Sequence, residues 1–173
     1  ITVYLWDHFL RPYQKGRIMT FLDPESDRLG LGWNIIQSKI AIGSGGLTGK
    51  GFLEGTQTKY EFLPAAHTDF IFSVIGEELG FVGTTVVLAL FIIIIVRALQ
   101  IAAMAKNRFY SLIAIGLASM LTFHVFVNIG MTIGVMPVTG LPLPFLSYGG
   151  SSLMANLIAV GLLLHVYTNR HEY

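Results

Sequence analysis

Polar segments alternate along this chain with long apolar runs. Residues 79–96 are 18 consecutive residues without a charged side chain, and residues 110–136 are 27 more. About 20 predominantly apolar residues are enough for a helix to cross the hydrocarbon core of a bilayer. A membrane β-barrel would instead alternate apolar and polar positions with a period of two, which these runs do not. The pattern predicts an all-α fold, a polytopic transmembrane helical bundle.

The same pattern divides the chain into segments. The predicted segments are the end of a preceding transmembrane helix at 1–10, a large extracytoplasmic loop with short interfacial helices at 11–78, transmembrane helices at 79–98, 111–135 and 151–168, an extracytoplasmic re-entrant loop at 136–150 and a cytoplasmic tail at 169–173. Because residues 1–10 resemble the end of an earlier helix, we expect the chain to be the C-terminal part of a longer protein.

Composition and charge support this class and indicate an orientation. Charged residues make up 12% of the chain and hydrophobic residues 53%, whereas soluble domains carry about 25% charged residues. A net charge of +1 argues against a nucleic-acid surface. Arg97, Lys106, Arg108 and Arg170 flank the apolar runs, and residues 137–150 contain no Lys or Arg. By the positive-inside rule, the 97–109 turn and the C-terminus are cytoplasmic, and the 11–78 and 136–150 segments lie outside.

The segment 33–42 has helical spacing. Trp33, Ile36 and Ile40 share one face, which suits a helix in the headgroup layer anchored by Trp33. A core helix of a soluble lobe explains the pattern equally well.

The glycine-rich segment 43–51 superficially resembles a phosphate-binding loop. A P-loop requires Gly five positions before its second Gly and Ser or Thr after its Lys, whereas Ser44 and Gly51 occupy these positions. We therefore expect no nucleotide here and interpret the glycines as permitting a tight backbone path.

Candidate chemistry concentrates around Asp69. At helical spacing Asp69, Ser73 and Glu77 form one stripe, and Asp69 is predicted in the first turn of a helix, where a carboxylate is stabilised in its charged form. Such a carboxylate at a bilayer surface can act as a general base or a cation ligand. Ordinary helix capping is the alternative.

Two further polar features lie within the apolar half. His124 and Asn128 share a helix face and either line a cavity or hydrogen-bond between helices. Residues 136–152 contain three Pro and three Gly, so they cannot continue a helix. Irregular backbone at membrane depth must be packed in protein or line a cavity.

Several motifs together resemble the SEDS family (shape, elongation, division and sporulation). They are QSKIAIGSGGLTGKG at 37–51, GTQTKYEFLP at 55–64, HTDFIF at 67–72, GEELG at 76–80 and NIGMTIGVMPVTGLPLPFLSYGGSS at 128–152. The form PVTGLPLPFLSYGG is closer to the rod-shape branch than to the division branch. The family commonly has Glu after the Leu-Pro, where this chain has Ala65, so a catalytic acid at that position is not expected.

The resemblance implies a membrane enzyme. It implies a peptidoglycan glycosyltransferase that polymerises lipid II into β-1,4 glycan during cell-wall elongation, in the bacterial cytoplasmic membrane, with its active site on the extracytoplasmic side. The implied partners are lipid II, a class B penicillin-binding protein transpeptidase and other membrane proteins of the elongation complex. The acid of the HTDF motif is regarded as essential in the family, and here it is Asp69.

The mechanistic hypothesis is an inverting single displacement with Asp69 as general base. Candidate substrate-binding residues are Lys50, Lys59, His67, Thr68, Ser147, Gly149 and Gly150, and candidate metal ligands are Glu77 and Glu78. Lys59, Lys50 or a divalent cation, Mg or Mn, could stabilise the pyrophosphate, and the sequence does not choose among them. No nucleotide is expected. Two alternatives stay open: a lipid II flippase, and a scaffold that docks the penicillin-binding protein.

Overall fold

A computed structural model describes residues 11–27, 30–59, 62–63 and 66–169, except the side chains of residues 26, 58 and 59. Within these ranges every regular element is a helix. The α-helices are α1 Pro12–Leu22, α2 Leu31–Ser44, α3 Thr56–Lys59, α4 Ile71–Ala103, α5 Arg108–Thr132 and α6 Gly150–Thr168. The predicted helix end at 1–10 and residues 170–173 of the predicted tail lie outside the described residues.

Three of these helices, α4, α5 and α6, are long and apolar enough to cross a membrane. The helix α4 starts at Ile71, eight residues before the predicted membrane span, which begins at residue 79. The predicted membrane span begins at residue 79 because residues 79–96 carry no charged side chain. Glu77 is paired with Lys50 inside the protein, so the helix runs through both acids.

A break interrupts α4 at Gly80, whose backbone has φ 65° and ψ −160°. This conformation is accessible mainly to glycine, and it interrupts the helical hydrogen bonding on both sides. The glycine-rich segment 45–51 supplies the missing partners. Four backbone hydrogen bonds join it to the break: Lys50 N to Glu77 O (3.0 Å), Gly51 N to Glu78 O (3.1 Å), Phe81 N to Gly46 O (2.9 Å) and Val82 N to Leu47 O (3.1 Å).

This pairing requires backbone contact without side chains between the two segments. A Cβ atom on Gly45 would lie 1.9 Å from the carbonyl oxygen of Gly76, and one on Gly49 would lie 2.0 Å from that of Glu78. The tight backbone path predicted for the glycine-rich segment is therefore confirmed, and its purpose is to complete a broken helix.

The helix α2 packs against α4 and α5 through a face other than the Trp33 and Ile40 face, which does not fit the alternative of a core helix in a soluble lobe. Ile35, Ser38 and Ala41 are buried, whereas Trp33 and Ile40 are exposed. Ser38 Oγ donates to the carbonyl of Thr132 on α5 at 2.6 Å. It also lies 2.6 Å from the hydroxyl of Ser73 on α4. A buried polar contact thus fixes the three helices together, and the apolar stripe that includes Trp33 faces outward.

The loop at residues 133–149 connects α5 to α6 and folds back over the start of α4. Val138, Leu143 and Pro144 are buried in it. Leu143 packs with Phe72 and Phe91 of α4 and Val125 of α5. The expectation that this irregular segment is packed in protein is confirmed, and the packing brings it against Asp69.

Candidate functional site

Asp69 lies in a turn, residues 66–70, that leads into α4. The N-cap residue of the helix is Phe70, so Asp69 lies one position before the cap. The prediction that Asp69 lies in the first turn of the helix is therefore wrong. Phe70 is only 1% exposed and anchors the turn in the core. The Asp69 side chain stays half-buried, which leaves its carboxylate partly accessible.

Three consecutive backbone carbonyls of this turn accept hydrogen bonds from the second half of the chain. Tyr148 N donates to His67 O at 2.8 Å, Ser147 Oγ to Thr68 O at 2.5 Å and Asn128 Nδ2 to Asp69 O at 3.0 Å. We call these three bonds the carbonyl clamp. They hold the peptide groups on both sides of Asp69 in one orientation.

The two side chains of the carbonyl clamp are themselves held by the 133–149 loop. Ser147 Oγ accepts a hydrogen bond from Leu143 N at 2.7 Å. Asn128 Nδ2 donates a second bond to Leu141 O at 2.7 Å. His124, predicted to share a face with Asn128, makes an edge contact with the neighbouring Phe123 ring at 6.5 Å and takes no part in the clamp.

The loop backbone also passes directly beside the Asp69 carboxylate. Gly140 has φ +76°, and a Cβ atom there would lie 3.5 Å from Asp69 Oδ2. The neighbouring carbonyl, of Thr139, accepts a hydrogen bond from the guanidinium of Arg17 at 2.8 Å. Arg17 on α1 is thereby fixed at the same site.

Burial and charge act in opposite directions on Asp69. Desolvation raises the pKa of its carboxyl above the usual 3.8, while the positive charge of Arg17 and a hydrogen bond from the Thr68 side chain oppose that rise. Burial prevails because removing a carboxylate from water disfavours its charged form. Arg17 was not among the sequence-based candidates, since nothing in its local pattern marks it.

Lys50 and Glu77 form a separate ion pair in which only the carboxylate is fully buried. Lys50 Nζ lies 2.6 Å from Glu77 Oε1, and the Glu77 side chain is fully buried. Glu77 Oε1 also accepts hydrogen bonds from the backbone N and the hydroxyl of Thr56, at 2.8 and 2.9 Å, and from Gln57 N at 3.1 Å. Two sequence-predicted site residues therefore pair with each other, and both carry structural contacts.

The remaining candidates are distributed around the Asp69 turn. His67 is exposed and Thr68 is half-buried; Gly149 precedes α6 and Gly150 begins it. The side chain of Lys59 lies outside the described residues. Their assignment to substrate binding stays a prediction.

The metal prediction has no supporting geometry in the described part of the chain. Among those residues no group of three His, Cys, Asp or Glu side chains is placed to hold an ion. The Glu77 oxygens are occupied by Lys50, Thr56 and Gln57, so the Glu77–Glu78 pair does not fit a metal site. A divalent cation stays a prediction without assigned ligands.

Comparison with known proteins assigns the chain to a family. The profile of the FtsW/RodA/SpoVE family, described as cell cycle proteins, matches residues 1–172. The chain belongs to this family. The resemblance deduced from the sequence motifs is thereby confirmed.

Curated members of the FtsW/RodA/SpoVE family are similar over nearly the whole chain. The peptidoglycan glycosyltransferase MrdB of Escherichia coli is 55% identical over 166 residues, which cover 96% of this chain and 45% of MrdB. The peptidoglycan glycosyltransferase RodA of Treponema pallidum is 52% identical, covering 91% of this chain and 36% of RodA. The probable peptidoglycan glycosyltransferase FtsW of Trichlorobacter lovleyi is 51% identical, covering 95% and 42%. The chain spans less than half the length of these relatives.

Two solved structures share the fold. A chain of a peptidoglycan synthase complex that coordinates polymerization and crosslinking superposes with a TM-score of 0.78 at 39% identity, covering 98% of this chain and 45% of that one. An aspartate-to-alanine variant of the rod shape determining protein RodA from Thermus thermophilus gives a TM-score of 0.61 at 32% identity, covering 98% and 59%. The fold is therefore that of a polytopic helical membrane protein, as predicted.

Proposed function

We propose that the intact protein is a peptidoglycan glycosyltransferase that polymerises lipid II into β-1,4 glycan strands for cell-wall elongation. The observation that carries this proposal is the Asp69 carboxylate: half-buried, beside Arg17 and with a raised pKa, in a turn held by the carbonyl clamp. The naming of MrdB and RodA as peptidoglycan glycosyltransferases supports it.

The chemistry needs a single displacement. The sugar of lipid II is α-linked to pyrophosphate, and the glycan product is β-linked, so one inversion at the anomeric carbon is sufficient. The acceptor 4-hydroxyl attacks that carbon, its proton passes to Asp69, and the bond to the pyrophosphate oxygen breaks as the new glycosidic bond forms. A positioned general base contributes about 10²- to 10⁴-fold in rate. A raised pKa suits this role, because a stronger base accepts the proton more readily.

A cationic group is needed to stabilise the departing pyrophosphate. Arg17 is the better candidate than Lys50. Its guanidinium is fixed to Thr139 O at 2.8 Å, and its charge acts on Asp69, whereas Lys50 is bound to the buried Glu77. Lys59 stays a further candidate on sequence grounds. A divalent cation at the pyrophosphate would supply the same kind of charge stabilisation.

We further propose that the Asp69 side of the bundle faces the extracytoplasmic space. The supporting observation is that Arg97, Lys106 and Arg108 cluster at the opposite end of α4 and the start of α5, which the positive-inside rule assigns to the cytoplasm. A class B penicillin-binding protein is the proposed partner, supported by the likeness to a chain of a complex that couples polymerization to crosslinking.

Formation of new glycan by the purified intact protein tests this proposal. Lipid II would be the only substrate, and moenomycin would silence contaminating polymerases of the other type. We expect polymer, since a flippase or a scaffold forms no new glycosidic bond. Absence of polymer, even after the crosslinking partner is added, would contradict the proposal.

A further inference from the structure

We infer that Asn128 and Ser147 are positioning residues that set the orientation of the Asp69 carboxylate for proton transfer. This inference rests on the proposed function and goes beyond it, because neither side chain touches substrate in this role. Each acts through the peptide backbone of the Asp69 turn. Ser147, predicted from the sequence to bind substrate, takes this other role because it is 9% exposed and its hydroxyl is occupied on both sides.

The carbonyl clamp controls the direction of the Asp69 side chain. The carbonyls of Thr68 and Asp69 belong to the peptide groups that precede and follow the Asp69 Cα atom. Ser147 Oγ binds the first and Asn128 Nδ2 binds the second. Fixing both peptide planes fixes the backbone dihedral angles of Asp69, and these set the direction in which its Cα–Cβ bond points.

The hydrogen bonds of Ser147 and Asn128 allow only one arrangement of each side chain. The Ser147 hydroxyl donates to Thr68 O and accepts from Leu143 N. Asn128 Nδ2 donates to both Asp69 O and Leu141 O. Rotating the Asn128 amide by half a turn would bring its oxygen against two carbonyl oxygens, so only one orientation fits.

Energetics favour a functional explanation for Asn128. Its Oδ1 atom is buried and has no hydrogen-bond partner among the described residues. Leaving a buried acceptor unsatisfied costs a free energy comparable to what about two hydrogen bonds return. The two bonds of Nδ2 therefore roughly offset the unpaired oxygen, and the net stability gained from the amide is small. What the amide adds is a defined position for the turn beside Gly140, where the loop backbone approaches Asp69 Oδ2.

The test compares Ser147→Ala and Asn128→Leu with Ser38→Ala in the intact protein. Ser38 is a matched control because its buried hydroxyl also binds a backbone carbonyl, that of Thr132, and its other described hydrogen bond goes to Ser73 on α4. Lipid II polymerisation would be measured as kcat, KM and the pH dependence of kcat, at a temperature where all variants are folded.

We expect kcat to fall by up to about 100-fold in both clamp variants, since a misplacement of about 1 Å in a catalytic group can cost about 10²-fold. KM should change far less. The acidic limb of the pH profile should move to lower pH, because a loosened turn exposes Asp69 to water and lessens the burial that raises its pKa. Ser38→Ala should lower the unfolding midpoint without moving that limb.

Unchanged kcat and an unmoved acidic limb in both clamp variants would overturn the inference while leaving the proposed function intact. The inference also fails if neither clamp variant folds while Ser38→Ala does, since the contacts would then be structural supports only. If the wild-type protein itself forms no glycan, the proposed function fails first, and the two failures are distinguished.

Discussion

Lys50 Nζ lies 2.6 Å from Glu77 Oε1, with the lysine partly exposed and the carboxylate fully buried. Removing the lysine leaves a buried carboxylate without its counter-ion, which typically costs about 3–5 kcal/mol. We expect Lys50→Met to lower the thermal unfolding midpoint strongly and Glu77→Gln to lower it less, because glutamine carries no charge and retains an acceptor oxygen. Thermal unfolding of the purified protein in detergent measures both.

The control for the lysine substitution is Lys39→Met, at an exposed lysine on α2. Exposed substitutions usually change stability by less than about 0.5 kcal/mol. A Lys50→Met protein as stable as the Lys39→Met protein would show that the buried pair does not hold the start of α4 in place.

The backbone pairing at the break in α4 predicts that a side chain at Gly49 destabilises the protein. Its φ is +79°, and a Cβ atom would lie 2.0 Å from the Glu78 carbonyl oxygen. Backbone strain alone costs of order 1–3 kcal/mol for a non-glycine residue in such a region, and the clash adds to it. Gly49→Ala should therefore destabilise the protein markedly in chemical or thermal unfolding.

Gly43 provides the matched control for that substitution. It lies inside α2, and a Cβ atom there would meet nothing within 4 Å. Gly43→Ala should stabilise the protein by about 0.5–1 kcal/mol, since alanine loses less backbone entropy in a helix. If Gly49→Ala and Gly43→Ala had the same effect, the backbone pairing at Gly80 would not be needed for the fold.

Activity should depend on pH through Asp69. Because burial raises the pKa of Asp69 above 3.8, the rate should fall on acidification with a midpoint above that value. The pKa of Asp69 is higher in the folded than in the unfolded state, so protonation of Asp69 stabilises the fold. This contribution is fully present below the unfolded-state pKa and is lost as pH rises through the folded-state pKa. Acid inactivation at this step therefore reports loss of the base, without unfolding caused by Asp69.

Substitutions at Arg17 test whether its positive charge lowers the pKa of Asp69. Arg17→Gln removes the positive charge that lowers the pKa of Asp69, so the acidic midpoint should move to higher pH. Arg17→Lys keeps the charge and should leave the midpoint near that of the wild type. Initial rates of glycan formation across pH measure these midpoints. An acidic midpoint that is the same in wild type and Arg17→Gln would contradict an electrostatic effect of Arg17 on Asp69.

Much of the architecture could be predicted because it depends on local pattern. Apolar runs determine the three membrane helices, and the Pro- and Gly-rich composition of residues 136–152 rules out a helix there. The motifs around Asp69 identified the family. These signals need no knowledge of which segments meet in space.

Long-range pairings could not be predicted in this way. Arg17 reaches the loop at Thr139 across 122 residues, and Lys50 meets Glu77 across 27. Such contacts depend on how helices pack, and a lone Arg or Lys in a polar segment resembles any solvated charge. The break at Gly80 was missed for a related reason: a single glycine in an apolar run indicates a helix interruption only when the partner segment at 45–51 is known to lie against it.

The carboxylate of Asp69 is the proposed general base, and replacing it tests that role directly. Asp69→Asn is isosteric, and the carbonyl clamp uses backbone oxygens of the turn, so the substitution removes the base and leaves the clamp in place. Glu54→Gln, at an exposed acid in the segment between α2 and α4, is the matched control.

The decisive measurement is lipid II polymerisation by the intact Asp69→Asn protein, beside wild type and Glu54→Gln at equal folded concentration. We predict a loss of about 10²-fold or more for Asp69→Asn, in keeping with removal of a general base, and near wild-type rates for Glu54→Gln. Glycan formation by Asp69→Asn at the wild-type rate would contradict the assignment of Asp69 as the base.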